Sequence, residues 1–155
     1  WDVSADGQII VGRSLSASGH EAFRWTEAGG IVGLGDLPGG NFFMVVRDVS
    51  GNGSVIVGVS ATSMPFNEPF IWTEAHGMRL LQDVLIDDYG LPLDGWTLSG
   101  LGGISDDGRT IVGTGWDPNG NRQGWVAVIP EPSSFILAAF GAAALCVIAV
   151  RRRQT

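Results

Sequence analysis

The residues best suited by type and spacing to do chemistry are acidic and hydroxyl side chains set in front of glycine. Asp2-x-Ser4-x-Asp6-Gly7 and Asp48-x-Ser50-x-Asn52-Gly53 follow the opening of a calcium loop, where alternate oxygens converge on a hard cation. Such a loop closes with a bidentate Glu at its twelfth position. Arg13 and Val59 stand there instead, and the third copy starts with Gly103. The same residues suit a hairpin turn held by Asx and Ser side chains, which is the expected reading, with no metal and no cofactor. Asp87-Asp88 is the one paired-carboxylate candidate for acid–base work, and its plainer reading is a solvated acidic loop. His20 and His76 do not recur in the repeated units, and His76 aligns with Gly29, which places it in a loop. No nucleophile elbow, zinc-protease helix or phosphate loop is present. Cys146 is the only cysteine, so a disulfide framework and a cysteine-based zinc site are excluded; in an apolar run it reads as a small apolar residue. No catalytic residue is assigned, and a non-enzymatic protein is expected.

These residues sit in a unit used three times. Its first element is DVSADGQIIVGRS (2–14), DVSGNGSVIVGVS (48–60) and GISDDGRTIVGTG (103–115); its second is EAFRWTEAGG (21–30), EPFIWTEAHG (68–77) and QGWVAVIP (123–130). The offset from Ser4 to Phe23 is 19 residues, and from Ser50 to Phe70 and Ser105 to Trp125 it is 20, so both elements belong to one structural unit. Asp6-Gly7, Asn52-Gly53 and Asp107-Gly108 predict two-residue type I′ hairpins with both central residues at positive φ. A β-branched run follows each, so the unit begins strand, turn, strand. Ile10, Ile56 and Ile111 align on one face, and Val11, Val57 and Val112 on the other. A strand apolar on both faces lies between layers. Gly12, Gly58 and Gly113 come next and predict a bulge or a close backbone approach. The aromatic element is a third strand, and 31–34 or 78–81 supplies a fourth. The spacing between units is 46 residues from Ser4 to Ser50 and 55 from Ser50 to Ser105, and the longer interval holds an insertion near 87–96.

Four short strands in 40–50 residues match a propeller blade. The expected fold is therefore all-β: about three β-propeller-like antiparallel blades over 1–128, with a β-solenoid or small sandwich as alternatives. A propeller takes 4–8 blades. Together with a first residue Trp1 and no export signal after it, this predicts the C-terminal piece of a longer secreted protein.

Composition agrees. Glycine supplies 24 of 155 residues, well above the usual share, while 45% of residues are hydrophobic, which suits strands and tight turns. Residues 1–129 hold six Arg against 15 acidic residues, a net −9; residues 130–155 hold three Arg against Glu131, a net +2. The acidic portion excludes nucleic acid as a partner, since phosphate contacts need basic patches. The Trp and Phe residues lie at strand spacing and read as core rather than as a sugar-stacking platform.

The last 27 residues, 129–155, have a different design. Residues 133–150 read SSFILAAFGAAALCVIAV, 18 positions without a charge. As a helix they would extend about 27 Å, close to the hydrocarbon thickness of a bilayer. Arg151, Arg152 and Arg153 follow, so a C-terminal transmembrane helix is expected with the arginines inside and 1–129 outside. Pro130-Glu131-Pro132 fixes an extended segment just before it, and Ser133 can cap the helix.

This order (Pro130-Glu131-Pro132, apolar helix, arginine cluster) resembles the PEP-CTERM sorting signal, also labelled the ice-binding protein C-terminal segment. The resemblance implies export in a Gram-negative bacterium that makes exopolysaccharide. It also implies recognition of Pro130, Glu131 and Pro132 by exosortase, a membrane protease-transpeptidase. The repeats resemble the HAF-type extracellular family through WTEAGG, LGDLPGG (34–40) and ISDDGRTIVG (104–113), with Glu21-Ala22-Phe23 and Glu68-Pro69-Phe70 in place of the His-Ala-Phe triplet. Expected partners are membrane lipid, an exosortase-type protease and extracellular polysaccharide. The expected location is the cell envelope or surface, with the repeat region outside the cytoplasm, either anchored or released after sorting. Two other functions stay open: a polysaccharide- or protein-binding propeller module, and part of a propeller hydrolase whose catalytic groups lie upstream.

Overall fold

Each Ser-x-Asx-Gly segment folds into the same loop. Ser4 N–H donates to the Ile9 carbonyl (2.9 Å) and Gly7 N–H to the Ser4 carbonyl (2.8 Å). The Ser4 hydroxyl donates to Asp6 Oδ1 (2.6 Å) and accepts from Ile9 N–H (3.0 Å). Ser50 and Ser105 repeat the pattern with Asn52 and Val55, and with Asp107 and Thr110. Only the glycines are left-handed, at φ 73°, 66° and 73° for Gly7, Gly53 and Gly108. The loop is thus not the expected two-residue type I′ turn. The serine hydroxyl takes the place of one backbone acceptor, which lets the Asx residue keep ordinary φ and leaves one glycine to reverse the chain.

The structure, a computed structural model, describes residues 1–37, 43–63 and 66–129. The described residues form eleven strands, and the loops join the first two of each sheet: β1 (Asp2–Val3), β2 (Ile9–Ser16), β3 (Gly19–Thr26), β4 (Gly30–Gly33), β5 (Met44–Val49), β6 (Val55–Ser63), β7 (Phe66–Thr73), β8 (Gly77–Leu80), β9 (Thr97–Ile104), β10 (Thr110–Trp116) and β11 (Arg122–Val128). They form three antiparallel sheets in simple meander order, β1-β2-β3-β4, β5-β6-β7-β8 and β9-β10-β11. These are the three expected blades, and the predicted fourth strands appear as β4 and β8. Among the described residues the third blade has no strand beyond β11. A helical element, absent from the sequence expectation, stands between β8 and the expected insertion at 87–96 and reaches into its first two residues: α1 (Leu81–Asp83) runs directly into a π-helical turn, Val84–Asp88, and Leu81 is helical where a strand end is expected. Leu81, Val84 and Leu85 are buried and fix it against the core.

Two apolar cores lie between the blades. One holds Ile9, Val11, Met44, Val46, Val49, Ile56 and Phe70, between the first and second blades; the other holds Val57, Val59, Ile71, Ile111, Trp125 and the helical insertion, between the second and third. The alternation predicted for the repeat decides which side chain enters which core. Ile56 and Ile111, both 0% exposed, point to the preceding blade, and Val11 and Val57, both 0%, point to the following one. Their counterparts on the outer faces are Ile10 at 37% and Val112 at 40%.

The expected close approach at glycine is also present. Gly12, Gly58 and Gly113 stand directly opposite Phe23, Phe70 and Trp125 in the cross-strand register. A Cβ on Gly58 or Gly113 would run into that aromatic ring and into a backbone carbonyl of the first strand. The aromatic ring fills the space that glycine leaves, which explains the constant offset between the two elements.

Candidate functional site

The repeated loops join the blades as well as the strands. Ala5 N–H donates to the Gly51 carbonyl (3.1 Å), and Gly51 N–H to the Asp106 carbonyl (2.9 Å), so the three loops form a ladder along one end of the sheets. Beneath it, Asp2 Oδ2 accepts from Val49 N–H (3.1 Å) and Asp48 Oδ2 from Ile104 N–H (2.7 Å). The first carboxylate of each apparent calcium motif therefore ties its blade to the next one. Asp6 serves a different partner, the loop's own serine. The Ser4 hydroxyl, then the Gln8 N–H, hold Asp6 below the usual carboxylate range, and the Ser105 hydroxyl does the same for Asp107. Asp48 moves the other way. Partial burial, then a hydrogen bond with Asp2, push its carboxyl up. At the third position Gly103 leaves room for Asp48, since a Cβ there would meet its Oδ2. Among the described residues no group of His, Cys, Asp and Glu is arranged to hold a metal ion.

The other candidate residues are dispersed. Asp88 pairs through both oxygens with Arg79 (2.5 and 3.0 Å), which fastens the helical insertion to β8 and holds the Asp88 carboxyl low. Asp87 is exposed beside it. His20 lies exposed on β3 with its ring edge-on to Phe43, and His76 lies in the β7–β8 turn, as expected, within 3.3 Å of Thr73 Oγ1. His76 touches the acidic pair through charge alone, as the last of the influences that lower the Asp88 carboxyl, after Arg79.

Two features escaped the sequence reading. One is the joint made by Asp2 and Asp48, whose signal was the Asp-Val-Ser shared by the first two units and missing from the third. The other is a cavity of about 260 Å³ beside β11, lined by Leu85, Leu91, Trp96, Leu98, Trp125 and Ala127, with Asp94 at its rim. Asp94 has φ 41°, and Trp125 Nε1 is buried with no hydrogen-bond partner among the described residues.

The chain leaves the blades at Ile129. Its N–H donates to the Arg109 carbonyl (2.8 Å), and Arg109 Nε donates back to the Ile129 carbonyl (3.3 Å). The PEP-CTERM protein-sorting motif matches residues 128–153 and so starts at the last residue of β11. The chain carries a PEP-CTERM sorting signal. Pro130, Glu131 and Pro132, the expected helix at 133–150 and Arg151, Arg152 and Arg153 all lie outside the described residues. Among the described residues, no helix is long and apolar enough to cross a membrane.

The blades are similar to solved TolB structures. TolB from Acinetobacter baumannii matches at a TM-score of 0.55 and 11% identity, covering 96% of this chain and 31% of that one. A protein assigned as TolB from Agrobacterium tumefaciens matches at a TM-score of 0.52 and 10% identity, covering 94% of this chain and 47% of that one. The chain therefore spans about a third and about half of their lengths. At these identities the likeness establishes a propeller-like fold alone. No curated protein matches the sequence.

Proposed function

We propose that this is an exported, envelope-anchored, non-enzymatic repeat protein, delivered by its C-terminal segment and displaying propeller-like blades of the HAF type outside the cytoplasm. The observation that carries the reading is the sorting motif at 128–153, which follows the last strand with no intervening linker. The anchoring step follows from its composition. Residues 133–150 have no charge, and about 2.5–3.5 kcal/mol opposes placing each arginine at the bilayer centre, so Arg151–Arg153 act as a stop. Exosortase is the processing partner that the signal implies, acting at Pro130, Glu131 and Pro132, with lipid around the helix.

The non-enzymatic part is supported by how the carboxylates are used. Asp2 and Asp48 accept backbone N–H groups of the next blade, and Asp88 is engaged by Arg79. A second reading, a binding module for extracellular polysaccharide or a protein, is favoured by the cavity with Trp96, Trp125 and Asp94, because aromatic faces beside an acceptor suit sugar rings. Fractionation of an exosortase-bearing host tests the main proposal. The wild-type chain is expected in the envelope fraction or processed near residue 130. Glu131→Ala is expected to accumulate unprocessed, and Arg151–Arg153→Gln to lose its retention. A wild-type chain found intact in the cytoplasm refutes it.

A further inference from the structure

Three residues that the strand register skips gather at one place. β5 pairs Val46 with Gly58 and Asp48 with Val57, which leaves Arg47 out of the ladder. β9 pairs Gly103, Leu101, Gly100 and Leu98 with successive residues from Val112 to Gly115, which leaves out Gly102 and Ser99. Bulges of this kind bend a strand and re-aim its side chains beside functional sites. All three skipped residues line a single cavity of about 390 Å³, walled by the second and third blades.

The cavity is basic in an acidic region. Residues 1–129 carry six arginines and a net −9, yet Arg47 and Arg122 share this wall with no carboxylate in it. Asn67, Ser99 and Thr114 add an amide and two hydroxyls. Elsewhere Arg79 is engaged by Asp88, Arg109 by the Ile129 carbonyl and Arg13 by the Phe43 ring. Among the described residues Arg47 makes no ion pair or side-chain hydrogen bond, and Arg122 reaches Thr114 Oγ1 at 3.5 Å. Both arginines are exposed. Arg122 opens β11, about 20 Å along that strand from Val128, where the sorting motif begins.

The first joint shows the same place filled. The repeat positions of Arg47, Val59 and Asn67 are taken there by Trp1, Arg13 and His20. Trp1 packs on Phe23, and Arg13 and His20 both close on the Phe43 ring, at 5.5 and 6.0 Å. At the second joint no aromatic residue lines the wall, and Gly100 and Gly102 do.

We propose that this cavity binds a carboxylate carried on a hydroxylated ring, the chemistry of a single uronic acid unit. Guanidinium groups match the two oxygens of a carboxylate, and the amide and hydroxyls both give and accept hydrogen bonds, as ring hydroxyls require. The volume falls within the roughly 300–1,000 Å³ of small-ligand sites. The negative charge around the cavity repels a polyanion and so favours a ligand with one charge. The inference is independent of the sorting signal and of the cavity beside β11.

The test is isothermal titration of the full chain in detergent with D-glucuronate, D-glucose, acetate and sulfate. Glucuronate is expected to bind in the millimolar range or tighter. Glucose, which lacks the charge, and acetate and sulfate, which lack the ring, are expected to bind at least about tenfold more weakly. Arg47→Gln and Arg122→Gln are each expected to lower glucuronate affinity about tenfold or more, as loss of a charge-assisted hydrogen bond does. Asn67→Asp keeps both arginines, places an acid in the wall, and is expected to weaken binding as much. Arg13→Gln makes the same change in net charge outside the cavity and is expected to leave affinity unchanged. Absence of glucuronate binding, binding no tighter than that of acetate or sulfate, or an equal loss in Arg13→Gln overturns the proposal.

Discussion

The second blade and the first are built from the same repeat, yet the same position carries different energy in each. Phe70 and Phe23 both lie over a repeat glycine. Phe70 is fully buried in the core shared by two blades, whereas Phe23 is covered on its outer side by Trp1, itself 81% exposed, at a centroid distance of 5.5 Å. The difference teaches what a packed blade adds to one repeat position: a shared core around Phe70, and among the described residues a single exposed Trp1 over Phe23. Removing the aromatic ring should expose this most strongly. Phe70→Ala is expected to cost about 3–5 kcal/mol, the range for deleting a buried aromatic side chain. Phe23→Ala should cost clearly less, since Trp1 is free to settle into the space. Denaturant unfolding of both variants checks this, and equal losses would remove the distinction between the two settings.

Glycine sharpens the same comparison. At Gly58 an added Cβ meets the Val45 carbonyl as well as the Phe70 ring, and backbone on a central sheet has nowhere to go. At Gly12 the obstacles are the Trp1 and Phe23 side chains, and Trp1 can swing away. Gly58→Ala is therefore expected to cost about 1–3 kcal/mol, as overpacked cores do, and Gly12→Ala less than about 1 kcal/mol. Thermal melts of the two variants decide it; an equal shift would mean that the cost is conformational rather than steric.

Much of this architecture was readable because it is local and repeated. The Ile10/Val11 alternation, repeated at Ile56/Val57 and Ile111/Val112, predicted both faces of each blade, since a strand has a period of two. The constant Ser-to-aromatic offset predicted the Gly–aromatic pairing. Three things were not readable, each for a physical reason. The type I′ assignment failed because the Ser4 hydroxyl substitutes for a backbone acceptor, a choice that an Asp-Gly pair does not reveal. The helical insertion was missed because Leu81, Val84 and Leu85 make a stretch too short for a helical period to stand out. Asp2 and Asp48 looked like ligands because their spacing is that of a calcium loop; their partners lie 47 and 56 residues away, beyond any local pattern.

The loop serine separates the blades on a smaller scale. Ser50 is fully buried, and its hydroxyl is the acceptor for Val55 N–H; Ser105 does the same for Thr110 in a more open setting. Ser50→Ala leaves a donor without an acceptor away from water, and a loss of about 1–3 kcal/mol is expected. Ser105→Ala admits water in its place and should fall below about 1 kcal/mol. Amide exchange at Val55 and Thr110 gives the site-specific readout. A stability loss for Ser105→Ala as large as that for Ser50→Ala would contradict the burial argument.

The smallest effect lies in the joint itself, and its sign depends on pH. The Asp48 carboxyl is raised by burial and by its hydrogen bond with Asp2, so folding favours its protonated form. That contribution is present below the carboxyl's unfolded value of 3.8 and is lost as pH rises through the higher folded one. Asp6 and Asp107 are depressed by serine hydroxyls, so theirs is present at neutral pH and lost in acid. Asp48→Asn keeps an oxygen for Ile104 N–H and removes the charge beside Asp2. It is expected to match the wild type in acid and to gain on it toward pH 7. Asp48→Ala loses the bond as well and should cost about 0.5–1.5 kcal/mol in acid, where charge no longer matters. Melting temperatures of the three proteins from pH 3 to pH 7 separate the two causes. A constant Asn-to-Asp difference across that range would show that the blade joint is held by geometry alone, with no charge held against it.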